Sequence, residues 1–244
     1  MAKKQYFLSE NNIPYNEFFH FGLSVDCVIF GYHQDSLKLL LIKRGADPYK
    51  GAWALPGDLV SMDEALDDSA NRILKHLSGL DNIFLEQFHS FGSVLRHPAG
   101  RVVSVGYYSL IKSENYLPIA SGWAETVRWV DMEEVEGLAF DHDHILGEAI
   151  KTLKRKVQTE PVGFELLPEK FTLRELQNLY EVILGNKFDK PNFRKKIMGI
   201  NLLTPLEESQ ENVAHRPAKL YSFNKIEYSR LKKKGLGSLF QNIE

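Results

Sequence analysis

The sequence has little cysteine and no long apolar run. Cys27 is the only cysteine in 244 residues, and it lies in the apolar stretch VDCVIF. A lone thiol excludes an intramolecular disulfide framework, which is typical of proteins that fold in a reducing compartment. No stretch approaches the roughly 20 apolar residues that a membrane-spanning helix needs, and residues 1–19 lack the apolar core of a secretory signal. We therefore expect a cytoplasmic protein that does not enter a membrane.

Neither sign of charge dominates the whole chain, because the formal net charge is −2. The two signs are unevenly distributed, however. Residues 1–160 carry 22 acidic and 16 basic side chains, whereas residues 161–244 carry 14 basic and 10 acidic ones. The chain is also long enough for two domains of ordinary size. Length and charge together indicate two globular modules with different partners.

The stretch from Leu55 to Leu80 predicts a loop, a helix and a second loop. Gly79 follows the helix as a C-terminal glycine commonly does. Apolar side chains recur at helical spacing and predict one buried stripe, which consists of Leu66, Ala70, Ile73, Leu74 and Leu77. This helix is expected to pack against a sheet.

Apolar segments on both sides of that helix predict the strands of the sheet. They lie at 21–32, 37–43, 82–94, 102–111 and 127–130. A further helix is predicted at 141–157, with Asp141 or Asp143 as its N-cap. A metal site is the alternative for this Asp-His-Asp-His cluster, but His142 and His144 would diverge on a helix, which favours capping and surface roles. The order of elements predicts an α/β (α+β) sandwich with a helix on each side of the sheet.

The C-terminal part predicts two short helices followed by a hairpin. Thr172 begins the first helix, Gly185 ends it, and the second helix begins after Asp189 with Phe193 and Ile197 facing inward. Segments at 202–205 and 218–223 are expected to pair as a wing. The second helix is the candidate DNA recognition helix, because basic and amide side chains bind phosphates and base edges. The candidate DNA-binding residues are Lys190, Asn192, Arg194, Lys195, Lys196, Arg216 and Lys219. A basic face that binds no DNA is the alternative interpretation.

Residues 55–80 resemble the Nudix box, G-x5-E-x7-R-E-U-x-E-E-x-G-U, in which U is a bulky aliphatic residue. Arg72, Glu64, Leu74, Gly79 and Leu80 match it, and Asp58 replaces its first glycine. Ile73, His76 and Leu77 stand where the box has its catalytic and metal-binding glutamates. Nudix hydrolases hold Mg²⁺ on carboxylates, and isoleucine and leucine offer no ligand. We therefore expect no hydrolase activity, no catalytic residue, no bound metal and no cofactor, with His76, Trp53 and Arg72 in structural roles and Arg72 paired to Glu64.

A disabled Nudix domain followed by a winged helix-turn-helix resembles the Nudix-related transcriptional regulators. GFELLPEKFTLRELQNLYEVILG, DKPNFRKKI and HRPAKLYSF are similar to that family's C-terminal domain. The resemblance implies a repressor, usually a homodimer, that binds palindromic operator DNA and a small-molecule effector. LLLIKRG, GRVVSVGYYSLI, AFDH and GFELLP favour the sugar-responsive, arabinose-type branch, whereas ADP-ribose sensing in NAD metabolism is the alternative.

The domain boundaries follow from the breaks in pattern. We expect an N-terminal arm at 1–20, a Nudix-like sensor at 21–158, a linker at 159–168 and a winged helix-turn-helix domain at 169–244. The candidate effector-binding residues lie on or just after predicted strands, and they are Asp26, Lys43, Arg44, Arg96 and Tyr107. Two further functions stay open. One is an active hydrolase that uses Glu64 and Asp63, together with Asp67 or Asp68, as displaced metal ligands. The other is a protein-interaction adaptor with a basic domain.

Overall fold

The computed structural model describes residues 21–211 and 216–233, and the chain divides into two compact units. The first unit contains the chain as far as Gly31 and then Lys38–Ala149, and the second contains Tyr32–Leu37 and the chain from Ile150. The expected N-terminal arm at 1–20 lies outside the described residues. Within the described part of the chain, no helix combines the length and apolar character that crossing a bilayer requires.

The first unit is built on a mixed sheet of seven strands. Strands β1 to β4 precede helix α1 and strands β5 to β7 follow it. Helix α2 comes next, and its residues after Ala149 belong to the second unit. Their bounds are β1 Gly22–His33, β2 Ser36–Arg44, β3 Trp53–Ala54, β4 Gly57–Leu59, α1 Leu66–Ser78, β5 Glu86–Phe91, β6 Val102–Lys112, β7 Ala124–Asp131 and α2 His142–Thr159. The hydrogen-bonded order is β3-β2-β1-β6-β5, with β4 paired to β1 and β7 paired to β2. Every strand expected from the apolar pattern is present.

The side chains of β1 alternate between the two faces of this sheet. Val25, Cys27 and Ile29 belong to the apolar core that also contains the buried side of α1. Because successive side chains of a strand point to opposite faces, Asp26 faces the other way, and there it meets His142 at the start of α2. A helix therefore covers each side of the sheet, as predicted. Burial also raises the pKa of the Cys27 thiol, so this cysteine is an inert core residue.

Helix α1 has the boundaries and the buried stripe that its sequence predicts. Ala70, Ile73, Leu74 and Leu77 are fully or almost fully buried. Gly79 ends the helix in the left-handed conformation, with φ of 72°, and its N–H donates to the carbonyl of Lys75.

Asp141 directly precedes α2 and its carbonyl accepts the Ile145 N–H, so it stands at the predicted N-cap position, but the two acidic side chains bond partners outside the helix. The Asp141 carboxylate accepts hydrogen bonds from Arg96, and the Asp143 carboxylate accepts one from the Leu138 N–H. Both acidic groups tie the helix start to other segments of the first unit. Arg96 and Leu138 both lie outside α2, so these contacts depend on the fold and cannot be read from the local helix pattern.

The second unit contains three further helices and a small sheet of three strands. A short 3-10 helix at Val162–Leu166 precedes them, within the segment expected as a linker. The elements are β8 Phe171–Thr172, α3 Leu173–Leu184, α4 Lys190–Gly199, β9 Leu203–Ser209, β10 Lys219–Phe223 and α5 Lys225–Lys233. The strand order is β8-β10-β9, and both pairings are antiparallel. The paired helices and the hairpin confirm the predicted winged helix-turn-helix, and α5 is an addition that the sequence pattern did not indicate.

Aromatic side chains form the centre of the second unit. Phe193 of α4 is fully buried, lies edge-on to Tyr180 and stacks on Phe188 with ring centroids 5.8 Å apart. Thr172 caps α3 through a capping box with Glu175, in which each side chain accepts from the other residue's backbone N–H. The sequence predicts both the start of α3 and the inward position of Phe193, because the cap and the apolar spacing are local signals.

Candidate functional site: a buried polar network and a basic helix

Asp26 is the centre of a buried polar network in the first unit. Its carboxylate accepts a hydrogen bond from Ser104 Oγ at 2.5 Å and an ion pair from Arg96 Nη2 at 3.3 Å. The Arg96 guanidinium also binds the Asp141 carboxylate through two nitrogens, at 2.9 and 2.7 Å. Planar two-point contact of this kind is the strongest geometry for an arginine and a carboxylate. The network therefore ties β1, β6, the loop that carries Arg96 and the start of α2.

His142 joins the network in a defined tautomer. Its Nδ1 accepts the Leu55 N–H at 3.0 Å, so the neutral ring carries its proton on Nε2. Nε2 lies 3.3 Å from Asp26 Oδ1 and donates to it. The histidine is 4% exposed, whereas the sequence analysis expects it at the surface. It is the first residue of α2 and lies against β1, where Asp26 holds it away from the surface.

The network keeps Asp26 ionised. Burial alone would raise the pKa of this carboxyl group, but the interaction with His142, the Ser104 hydroxyl and the Arg96 charge together lower it to about 2. Gly57 lies opposite Asp26 in the pairing of β1 with β4. A Cβ at position 57 would meet Asp26 Oδ1 at 2.0 Å, so only glycine leaves room for the carboxylate.

Arg44 forms the second part of the site, together with aromatic rings. Its guanidinium lies 4.5 Å from the Trp123 ring centroid and 4.8 Å from that of Phe140, and its Nε donates to the carbonyl of Pro48. His97 stacks on Phe140, with centroids 5.1 Å apart and ring planes at 12°. Within the described residues, the two terminal nitrogens of Arg44 make no hydrogen bond or ion pair. A cation with free donors beside aromatic faces suits an anionic ligand that carries a planar ring.

Burial lowers the pKa of both Arg44 and His97, but different neighbouring charges act on the two groups. Burial lowers the pKa of Arg44, while Asp58, Asp26 and Asp47 oppose that change. Burial also lowers the pKa of His97, and the charges of Arg96 and Arg44 lower it further. His97 is therefore neutral at pH 7, and its imidazole presents a flat, uncharged face.

The five candidate effector-binding residues do not form one group in the structure. Asp26 and Arg96 are bonded to each other, and Asp26 is close enough to Arg44 to affect its pKa. Lys43 pairs with Glu125 at 3.5 Å, and both side chains are partly exposed. Tyr107 faces the α1 side of the sheet and donates its hydroxyl to Asp67. Trp123 and Phe140 were not among the predicted site residues, and Asp141 and His142 were predicted only as cap and surface residues, because loops and helix starts show no periodic pattern that places them near β1.

The residues of the box helix do not offer the ligand set of a Nudix magnesium site. Ile73 is 1% exposed, Leu77 is fully buried, and both lie in the apolar core. Glu64 is occupied on both oxygens, by Arg72 Nε at 2.6 Å and by Ser69 Oγ at 2.7 Å, and these bonds lower its pKa to about 2. His76 is exposed beside Gly122. Residues 21–211 and 216–233 contain no group of three His, Cys, Asp or Glu side chains arranged to hold a metal ion.

The expected structural pairing of Arg72 is present. Its Nη2 also donates to the Leu59 carbonyl at 3.3 Å, so this arginine joins α1 to the preceding loop. Trp53 packs its ring against the Arg128 guanidinium, 4.4 Å from the ring centroid. Each of these two side chains has a structural partner.

The candidate DNA-binding residues lie on α4 and at the wing. Lys190, Asn192, Arg194 and Lys195 are exposed, and Lys196 is half-buried. Phe193 and Ile197 occupy the inward side of the same helix. Arg216 and Lys219 are exposed at the start of the returning wing strand, while residues 212–215 of the wing loop lie outside the described residues. The helix therefore presents three exposed cations and one exposed amide, and the wing presents two exposed cations.

Comparison with known proteins assigns both units. Residues 20–153 match the NUDIX domain, and residues 163–223 match the NrtR DNA-binding winged helix domain. The ADPR responsive transcriptional repressor NtrR of Acinetobacter baylyi is 37% identical over 210 residues, which cover 84% of this chain and 83% of the relative.

Solved structures agree with that assignment. Shewanella oneidensis NrtR complexed with a 27mer DNA has a TM-score of 0.68 and 32% identity, over 82% of this chain and 93% of that chain. The NUDIX domain of the same protein complexed with ADP ribose has a TM-score of 0.52 and 31% identity, over 58% of this chain and 94% of that chain. The α/β Nudix domain and the winged helix module both fall within the part of the chain that matches the full-length relatives. The chain therefore belongs to the NrtR family of Nudix-related, DNA-binding transcriptional repressors.

Proposed function

We propose that this chain is an ADP-ribose-responsive repressor. Its winged helix domain binds operator DNA, and its Nudix domain binds ADP-ribose and controls that affinity. The observation that carries the proposal is the likeness to a repressor described as ADPR responsive, which is 37% identical over 210 residues and spans both domains. The alternative weighed from the sequence is thus favoured over a sugar effector, for which the comparisons give no support.

The DNA-binding part rests on α4 and the wing. Lysine and arginine neutralise phosphates, and Asn192 or Arg194 can bond base edges in the major groove. Asp189 caps α4 by accepting the Asn192 N–H at 3.0 Å, which fixes the helix start beside these side chains. A solved relative in this family is bound to a 27mer DNA. We infer that α4 enters the major groove and that Arg216 and Lys219 contact the backbone beside it.

The effector-binding part rests on the Arg44 cluster. ADP-ribose combines an adenine ring, two riboses and a diphosphate. The terminal nitrogens of Arg44 can bind a phosphate, and the neutral rings of His97, Phe140 and Trp123 can pack on adenine or ribose. A pentose has no anion and no aromatic ring, so it would leave these groups unused. The Asp26 network holds the loop that contains Arg96 and His97, and so positions one wall of this site.

A direct test is DNA binding with two effectors. The probe is a duplex from the promoter of the chain's own operon, and its affinity is measured by fluorescence anisotropy with ADP-ribose or L-arabinose added. ADP-ribose is expected to change the affinity about 5- to 150-fold, the usual range of allosteric coupling, and arabinose to leave it unchanged. The reverse result would restore the sugar interpretation. A response to neither would reject the effector assignment, and absence of salt-dependent binding would favour an adaptor.

The effector site has a matched pair of variants. Arg44→Gln removes the free cation, and Lys43→Gln removes the neighbouring cation that pairs outward with Glu125. We expect Arg44→Gln to weaken ADP-ribose binding about 10- to 100-fold, as for loss of a charge-assisted hydrogen bond, and Lys43→Gln to have little effect. Tryptophan fluorescence and calorimetry measure the ADP-ribose affinity of both variants. Equal loss in the two variants would place the diphosphate elsewhere.

Binding without hydrolysis is part of the proposal. Glu64 is held by Arg72 and Ser69, and the positions of the remaining box glutamates carry Ile73, His76 and Leu77. Incubation of ADP-ribose with the full chain and Mg²⁺ is expected to leave it intact. Turnover that Glu64→Gln abolishes would show that the box retains activity. We also expect a homodimer on a palindromic operator, which sedimentation with and without DNA measures.

A further inference from the structure

The turn between α3 and α4 is held by two buried polar side chains of α3. Glu181 Oε1 accepts the Phe188 N–H at 3.0 Å, and Gln177 Nε2 donates to the Phe188 carbonyl at 3.1 Å. The two side chains also bond each other, Gln177 Nε2 to Glu181 Oε1, at 2.8 Å. They lie one helical turn apart, so they share a face of α3. Both polar backbone groups of Phe188 thus have side-chain partners from the preceding helix.

The three residues Gln177, Glu181 and Phe188 are buried, so the loss of any one of these hydrogen bonds would leave a polar group without water or another partner. Gln177 is 6% exposed, Glu181 is 8% exposed and Phe188 is 8% exposed. A buried backbone group without a partner is costly, so the turn keeps this geometry as long as both side chains are present. Lys187 completes the arrangement by donating to Glu181 Oε2 at 2.8 Å, although its own side chain is 88% exposed. Asp189, the cap of α4, follows Phe188 directly in the chain.

Resting on the DNA-binding function proposed above, we propose that Glu181, assisted by Gln177, positions the recognition helix α4 and thereby sets the sequence specificity of DNA binding. Neither side chain is expected to touch DNA. They act through Phe188, whose position determines where α4 begins and the direction in which it runs. Glu181 is therefore a positioning residue.

Specificity is more sensitive than overall affinity to this kind of change. Helix α4 has ten residues, about 15 Å at 1.5 Å per residue, so a tilt of about 10° at its start moves its far end by about 2.6 Å. Hydrogen bonds to base edges fail over such a displacement, because they need donor and acceptor within about 3.2 Å. Attraction between long basic side chains and phosphates tolerates it, since that term depends on charge rather than on a fixed geometry. Loosening the turn should therefore lower specific binding selectively.

The test compares three chains on two DNA probes. The specific probe is a duplex that the wild-type chain selects from a random library, and the non-specific probe is a scrambled duplex of equal composition. Glu181→Leu removes the acceptor for Phe188. Glu181→Gln keeps an oxygen acceptor for the Phe188 N–H and loses the charge and the hydrogen bond with exposed Lys187, so it serves as the conservative control. Affinities are measured across a salt series for the full-length chains.

Positioning and simple stabilisation give different results. We expect Glu181→Leu to lower the ratio of specific to non-specific affinity about 10- to 100-fold, equivalent to one or two lost base contacts, with an unchanged salt slope. Glu181→Gln should keep the ratio within about threefold. If Glu181→Leu only reduces the folded fraction, both affinities fall together and the ratio is unchanged, which overturns the inference. A ratio that Glu181→Leu leaves intact for any other reason also overturns it. A wild-type chain that prefers no sequence overturns the DNA-binding proposal itself, and this one with it.

Discussion

Replacing Asp26 by asparagine tests the buried network directly. The carboxyl pKa falls from the ordinary 3.8 to about 2 in the folded chain. Since one pKa unit corresponds to about 1.36 kcal/mol, ionised Asp26 contributes on the order of 2 kcal/mol to folding at neutral pH. Asparagine lacks this charge and also turns an N–H2 group towards groups that donate to position 26. We expect Asp26→Asn to lose about 2–3 kcal/mol at pH 7.

The pH dependence follows from the direction of the shift. A carboxyl group whose pKa is lower in the folded state stabilises the fold above its unfolded pKa, near 4. That contribution disappears as the pH falls through the folded value, near 2. The stability difference between wild type and Asp26→Asn should therefore be constant from pH 7 to about 5 and shrink between about 4 and 2. Other acidic groups titrate in both chains, so they largely cancel in the difference.

The protein provides its own signal for this experiment. Its three tryptophans, at positions 53, 123 and 129, all lie in the first unit, so urea unfolding followed by tryptophan fluorescence reports that unit. Asp68→Asn is the control, because Asp68 is exposed on α1. Its stability difference from wild type should be small at every pH. A large Asp26→Asn difference that persists unchanged to pH 2.5 would refute the reasoning, because it would show that packing rather than charge stabilises this position.

Three further changes test other parts of the structure. Gly57→Ala should cost about 1–3 kcal/mol in fluorescence-detected unfolding, because its Cβ would meet Asp26 Oδ1, whereas Gly147→Ala, with nothing within 4 Å, should be neutral or stabilising. Phe193→Ala should destabilise the second unit by about 3–5 kcal/mol, seen as faster hydrogen exchange in α3 and α4, and equal changes across both units would contradict it. Arg194→Ala should weaken operator binding and reduce the salt slope by about one while ADP-ribose affinity stays unchanged, and a joint loss would show that the two functions are not separable.

Local sequence signals account for the parts of the fold that were predicted. The stripe from Ala70 to Leu77 repeats at the helical period, and Thr172 and Gly185 mark the ends of α3 with a cap and a left-handed glycine. Helix α5 carries no comparable signal, because its sequence KIEYSRLKK is mostly polar and its apolar spacing is weak. A helix of this kind depends on its surroundings. Asn224 caps it by accepting the Glu227 N–H, and Tyr228 contacts the ring of Phe223.

The candidate site was only partly predictable, for a topological reason. Asp26 and Arg44 lie on strands, where apolar runs reveal the alternation and a polar residue stands out. Tyr107 was wrongly grouped with Asp26. Ser104 of β6 faces Asp26, and Tyr107 is three positions further along the same strand, so it points to the opposite face of the sheet. Phe140 and His142 come from a loop and a helix start 87 or more residues after Trp53, and only the folded chain brings them beside β1.

The apolar residues at two glutamate positions of the Nudix box, Ile73 and Leu77, form part of the core. Leu77 is fully buried and Ile73 nearly so, within the apolar cluster that contains Cys27 and Ile29. A glutamate at either position would carry a carboxylate into that cluster, and desolvation would oppose its charge. Arg72, meanwhile, occupies the remaining carboxylate of Glu64 and bonds the Leu59 carbonyl, so α1 and its loop are fixed without a metal ion. Apolar residues at these two positions therefore suit the core of the Nudix fold, which is consistent with the proposal that the effector binds at Arg44 and its aromatic neighbours.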